Sequence, residues 1–171
     1  MTQDTQNQLI AQCLAQDRLA QRTLYDQYRR AMFTLAYRIT GDFEAAAEVL
    51  QDAFLQVFKG LNNFRNESTL GAWIKTIVVR TAYRQLKTRV VFAELPPQYG
   101  ETKIDYGDDS DIEYLEKAIQ SLPDGFRMVF TLIEIEGFSH REVGALLGIM
   151  EGTSKSQLFY AKKKLREILQ K

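Results

Sequence analysis

The chain has 171 residues, 45% of them hydrophobic, and balances 22 Lys and Arg against 22 Asp and Glu. That length can bury a core in one domain or two small ones. No apolar run approaches the ~20 residues that span a bilayer and no basic-then-apolar leader opens the chain, so a cytoplasmic protein without membrane insertion is expected. Cys13 and His140 are the only residues of their kinds, which excludes an intramolecular disulfide and a Cys/His zinc site. No metal, no cofactor and no enzymatic activity are expected.

Apolar spacing predicts an almost wholly helical chain. A weak helix near 6–20 precedes a strong one over 22–40, with Leu24, Tyr28, Ala31, Leu35 and Ile39 on one stripe and Gly41 at its end. The next, over 43–60, turns Phe43, Ala46, Ala47, Leu50, Phe54, Val57 and Phe58 inward, and Glu48, Gln51 and Asp52 outward. The Asn-rich stretch from Gly60 to Ser68 reads as a loop. A third strong helix follows over 70–88, with Leu70, Ile74, Ile77 and Val78 apolar. Residues 92–111 hold Pro96-Pro97, Gly100, Gly107 and a cluster of carboxylates, and read as a linker. Helices resume near Ile112. One starting at Pro123 carries Phe126, Val129, Phe130 and Ile133 and stops at Gly137. Ser139 and Glu142 match a capping box for a short helix closed by Gly148, which puts His140 in an exposed first turn. The last helix, from about 152 to 169, has Ser154, Leu158, Ala161, Leu165 and Ile168 inward.

Charge is segregated along this series. Residues 65–91 hold 6 basic residues and 1 acidic, 92–116 hold 1 basic and 8 acidic, and 155–171 hold 6 basic and 1 acidic. Two cationic blocks around an anionic one suggest contact with a polyanion, and the acidic stretch could screen them in the free chain. Arg80, Arg84 and Lys87 stand at i, i+4 and i+7 and line one helical face, with Thr76 and Tyr83 beside them. Cations interleaved with aromatics suit single-stranded nucleic acid, because rings stack on bases while cations follow the backbone. Trp73 reads as core with one edge able to reach DNA. The short capped helix, glycine turn and longer basic helix make a helix-turn-helix. With Ser154 and Leu158 in the core, Thr153, Ser156, Gln157 and Tyr160 share the outward face. Gln157 can bond adenine in bidentate fashion, worth roughly 1–3 kcal/mol of discrimination. Lys155, Lys162, Lys163, Lys164 and Arg166 would take phosphates. A plain helical bundle with a charged rim fits the same pattern.

On these residues the chain resembles a known family. Leu24-Tyr25-Asp26-Gln27-Tyr28 through Arg89 resembles the promoter −10-binding domain of bacterial sigma factors. Within it, Ala47 through Phe58 looks like the polymerase-clamp-binding helix, and Trp73-Ile74-Lys75-Thr76-Ile77 like the start of the DNA-reading helix. Leu122-Pro123 through Leu165, with Gly152-Thr153-Ser154-Lys155-Ser156, resembles the −35-binding domain. Two such domains with only a linker between them resemble the extracytoplasmic function (ECF) group. The resemblance implies an all-α fold of two small helical domains, 1–91 and 112–171, joined by an acidic linker over 92–111, with the helix-turn-helix in the second.

The function it implies is binding of core RNA polymerase, direction of the enzyme to particular promoters, and help in melting the −10 element. The partners it implies are core polymerase, double-stranded −35 DNA and melted −10 DNA, with room for an anti-sigma factor. Glu48, Gln51, Asp52 and Leu55 would face the polymerase clamp. Asn63, Arg65, Ser68, Trp73, Arg80, Tyr83, Arg84 and Lys87 would handle the −10 element. Thr153, Lys155, Ser156, Gln157, Tyr160, Lys163 and Lys164 would serve the −35 element. The chain departs from the family at several of these points. Arg80 and Arg84 stand where Asn and Asp are usual, and Ser154 and Gln157 where Val and Arg are usual. Met150 stands where a Ser or Thr often caps the recognition helix. Gln in place of Arg favours adenine over guanine at that contact. The alternative is a stand-alone helix-turn-helix regulator without sigma activity.

Overall fold

Two aspartates set the helix starts in the amino-terminal half. Asp17 Oδ1 accepts from the Leu19 and Ala20 amides and begins α2 (Arg18–Thr40). Asp42 Oδ1 accepts from the Ala45 amide at 2.8 Å and begins α3 (Phe43–Gly60). Each satisfies amides that the helix itself leaves unpaired. Between them Gly41, at φ 70°, ends α2 in the left-handed conformation that glycine adopts freely. α1 (Gln3–Leu14) starts under a Thr2 cap and ends before Asp17, so α2 begins four residues earlier than apolar spacing predicts.

A computed structural model describes residues 1–88, 90, 92, 95, 103–106 and 111–170 of the chain. These residues form eight α-helices, a short 3-10 turn and a π-helical segment, with no strand among them. None of the described helices is long and apolar enough to cross a membrane. The expected linker over 92–111 lies largely outside the described residues. The chain divides into two units, Met1–Gln85 and Leu86–Lys171.

In the first unit, Leu24, Met32, Leu35, Ala36 and Ile39 of α2 are buried, as are Ala46, Val49, Leu50, Ala53, Phe54 and Val57 of α3. α4 (Leu70–Leu86) adds Leu70, Ile74, Val78, Val79 and Ala82. Ala31 and Ala47 are exposed, contrary to expectation, because the buried faces run through Met32 and Ala36 on α2 and through Val49 and Ala53 on α3. Phe43 is 68% exposed and rests against the Phe33 ring at 5.0 Å. Asp42→Ala is expected to lower the stability of this unit by about 1 kcal/mol through loss of the α3 cap. A lowered urea midpoint of its unfolding transition checks this.

In the second unit, α5 (Ile112–Gln120) and α6 (Asp124–Phe130) lead into a π-helical segment (Thr131–Ile135). α7 (His140–Leu147) and α8 (Glu151–Leu169) follow. α8 packs on α5, α6 and α7 and buries Leu158, Ala161 and Leu165. Pro123 stands at the N-cap position just outside the first turn of α6, where the sequence pattern places it inside, and makes no side-chain capping hydrogen bond. The buried Arg127 ties the α5–α6 turn together. Its Nη1 donates to the Leu122 carbonyl at 2.9 Å, and Nη2 pairs with Asp124.

Candidate polymerase and nucleic-acid interfaces

α3 is two-faced. Its apolar side fills the core, and Glu48, Gln51, Asp52 and Leu55 stand exposed on the other side, Leu55 at 56%. Glu48 is exposed but engaged, since its Oε2 accepts from Gln85 Nε2 of α4 at 3.1 Å. The solvent side of α3 is thus polar and acidic, with one leucine standing clear of the core.

After α3 the chain turns through the 3-10 segment Leu61–Asn63 into a polar loop. The loop is built on an aromatic base. Phe64 and Trp73 are both half-buried, with ring centroids 5.4 Å apart. The indole also lies against Gly60, where a Cβ would stand in ordinary contact, 3.6 Å from Trp73 Cζ2. Thr69 then starts α4, its Oγ1 accepting from the Ala72 amide at 3.1 Å. Asn66 takes a left-handed φ of 56°, which asparagine tolerates, and its Oδ1 accepts from Gln3 Nε2 of α1 at 3.1 Å. Sequence spacing gave no sign of this bridge across 63 positions. Asn63, Arg65 and Ser68 are exposed on the loop, Arg80 and Arg84 are exposed along α4 beyond it, and Lys87 is exposed just past the end of α4. Tyr83 and Thr76 are half-buried, and the Thr76 hydroxyl is committed to the Ala72 carbonyl.

The second unit presents a helix-turn-helix. Ser139 Oγ accepts from the Glu142 amide at 3.1 Å, and Glu142 Oε2 accepts from the Ser139 amide at 2.7 Å, closing a capping box at α7. That backbone hydrogen bond lowers the Glu142 pKa, because it stabilises the carboxylate. Gly148, at φ 64°, ends α7, and the Ile149 amide returns to the Gly144 carbonyl at 3.0 Å. The turn passes so close to α7 that a Cβ on Gly144 would lie 2.8 Å from the Ile149 carbonyl oxygen.

α8 departs from its expected face. Ser154, Leu158, Ala161 and Leu165 are buried as the stripe predicts, but Ser156 and Gln157 are buried too, at 7% and 1% exposure. Thr153 and Tyr160 are half-buried. Gln157 lies only about 60° round the helix from Ser154, at the edge of the band a helix of this kind buries. Ser156 lies about 200° from Ser154, so the amino-terminal half of α8 is covered on two sides. The exposed part of the helix is cationic, with Lys155, Lys163, Lys164 and Arg166. Lys162 is no free cation, because its Nζ pairs with Glu134 of the π-helical segment at 2.8 Å. Lys155 lies 3.5 Å from Glu151 on its own helix. His140 also differs from its expected exposed place. It is half-buried, with Nδ1 2.8 Å from Ser154 Oγ.

Two family descriptions match the chain, Sigma-70 region 2 over residues 24–90 and Sigma-70, region 4 over residues 112–165. The chain is 30% identical to the RNA polymerase sigma-H factor of Pseudomonas aeruginosa, over 99% of this chain and 96% of that one. It is 29% identical to the ECF RNA polymerase sigma factor SigE of Mycolicibacterium smegmatis, over 86% of this chain and 61% of that longer relative. Among solved structures, its fold is similar to that of the sigma factor RpoE of Bartonella quintana, determined in complex with the anti-sigma factor NepR. The TM-score is 0.62 at 24% identity, covering 87% of this chain and 96% of that one. The two matched regions fall in chain order on α2–α4 and on α5–α8. The chain belongs to the sigma-70 family of bacterial RNA polymerase sigma factors, in its extracytoplasmic function group.

Proposed function

We propose that the two units divide one task in promoter-specific initiation by RNA polymerase: the first holds core polymerase and opens the −10 element, and the second holds the −35 duplex. The observation that carries this reading is the polar loop after α3, held on the Phe64–Trp73 pair and capped by Thr69, with a row of exposed cations beyond it. Asn63, Arg65 and Ser68 face solvent where an unstacked base could be bonded, and Trp73 offers an aromatic edge below them. Arg80, Arg84 and Lys87, with Tyr83 between, follow the displaced strand. Gln51, Asp52 and Leu55, with Glu48 beside them, are the clamp-facing surface.

In the second unit Lys155, Lys163 and Lys164 take phosphates of the −35 duplex and position the helix. Thr153, Ser156, Gln157 and Tyr160 supply base contacts once their flank of α8 is uncovered. Lys162, held by Glu134, belongs to the scaffold rather than to the phosphate contacts. The chain's part in transcription is non-catalytic and its place of work is the cytoplasm. An anti-sigma factor is its regulatory partner in this reading, as NepR is for the similar RpoE fold.

Run-off transcription tests the assignment. The purified chain is expected to make core polymerase initiate at specific sites in a pool of genomic promoters. Lys163→Ala with Lys164→Ala is expected to cut initiation at −35-dependent promoters several-fold. The same pair should flatten the log–log salt dependence of duplex binding by about 2. If core polymerase with the wild-type chain starts no transcript while the chain alone still binds DNA specifically, the stand-alone regulator takes its place.

A further inference from the structure

Ser154 carries a hydroxyl into a band of α8 otherwise made of Leu158, Ala161 and Leu165, and it is fully buried. A hydroxyl so placed needs a partner, and it has one in His140 Nδ1 at 2.8 Å. His140 is the first residue of α7, inside the Ser139–Glu142 capping box, so its backbone is held in place. α8 has weaker means of fixing its own start. Met150 occupies the cap position, 77% exposed, and no described side chain caps the helix.

Apolar contact is non-directional and leaves a helix some freedom to turn about its axis. A hydrogen bond is directional and removes that freedom. A second polar tie lies eight residues on, where Lys162 reaches Glu134 at 2.8 Å, about 80° round the helix from Ser154. The two ties bracket the first half of α8. The charges facing the imidazole are Glu151, Lys155 and Lys162 on α8 and Glu134 on the π-helical segment. Burial first, and then Lys155, lower its pKa, so the ring is neutral at neutral pH. A neutral imidazole can meet the hydroxyl at Nδ1 as acceptor or as donor.

We propose that His140 is a positioning residue for −35 recognition: through Ser154 it sets the rotation of α8 about its own axis, and with it the directions taken by Ser156, Gln157 and Tyr160. The proposal rests on the reading of α8 as the −35 reader. His140 itself touches no DNA in this role.

The test uses holoenzyme assembled from the full chain and core polymerase, with promoter libraries randomised separately at the −35 and −10 elements. His140→Ala and Ser154→Ala are each expected to reduce discrimination among −35 sequences about tenfold and to leave −10 preferences unchanged. The double variant is expected to be no worse than either single, because both remove the same bond. His140→Asn, whose amide reaches as far from Cα as Nδ1 does, is expected to restore most of the discrimination. A lowered melting temperature with −35 preferences intact overturns the proposal, as do strictly additive effects or failure of His140→Asn to rescue.

Should His140→Ala not fold, the apolar pair His140→Leu with Ser154→Val keeps the contact packed without the bond. Altered −35 preference in that folded protein supports the proposal, and unaltered preference overturns it. Gln157→Ala separates the two levels. If it too leaves −35 preference untouched, α8 is not the reader and this proposal falls with that reading. If it changes preference while the His140 variants do not, only the positioning role falls.

Discussion

Gly144→Ala is expected to unseat the recognition helix. In an ordinary helix interior that exchange stabilises by up to about 1 kcal/mol. Here the added methyl would sit 2.8 Å from the Ile149 carbonyl oxygen, a backbone atom in a turn already fixed by Gly148. The backbone must move, and strain of this kind costs ~1–3 kcal/mol, which outweighs the propensity gain. Because the turn sets the approach of α8 to α7, the displacement reaches every side chain of the proposed reader. A lower melting temperature and about tenfold less transcription from −35-dependent promoters are expected. Gly71→Ala is the control, since its methyl meets only a ring atom of Tyr28, at 3.3 Å. Equal tolerance of both exchanges would remove the turn from the account.

Arg80→Ala together with Arg84→Ala is expected to impair promoter opening more than promoter binding. Both side chains are exposed on α4 beyond the polar loop, so their loss costs the fold little. If both follow a single strand, each contributes about 0.7 to the log–log salt slope, and the double variant should flatten that of open-complex stability by about 1.4. Open complexes, followed by permanganate reactivity of unpaired thymines, should fall about tenfold, or ~1.4 kcal/mol. Binding of the variant to core polymerase should be unchanged, since Gln51, Asp52 and Leu55 lie on α3. Full opening by the double variant would take α4 out of the melted element.

The elements legible in advance were those set by local chemistry. Ser139 with Glu142, Gly148 after Leu147, and the apolar repeat of α3 each act within a few residues, so their positions follow from short-range rules. The helix boundary at Leu14–Arg18 was missed because Asp17 acts as a cap, a role that the apolar count over 6–20 overlooks. The polar ties were illegible for a different reason. Gln3 with Asn66, Glu48 with Gln85, and Lys162 with Glu134 join separate elements, and their pairing exists only once the helices are packed. Gln157 shows the limit of a helical wheel. It stands at the edge of the buried band, and only the neighbours of α8 decide on which side of that edge it falls. Ser156 lies opposite the band, and no spacing rule would bury it.

The covered flank of α8 bears on how such a protein lives among a genome's worth of decoys. If α8 meets the −35 duplex as proposed, then with Gln157 and Ser156 shielded and Thr153 and Tyr160 half-buried its exposed cations Lys155, Lys163, Lys164 and Arg166 make most of the first contact, a grip that is blind to sequence and fades as salt rises. A bacterial chromosome offers on the order of 10⁶ competing non-specific sites. In that reading a probe whose discriminating tips stay sheathed gains no base contacts at any of them and holds each only by its salt-sensitive cations, so it remains free to exchange.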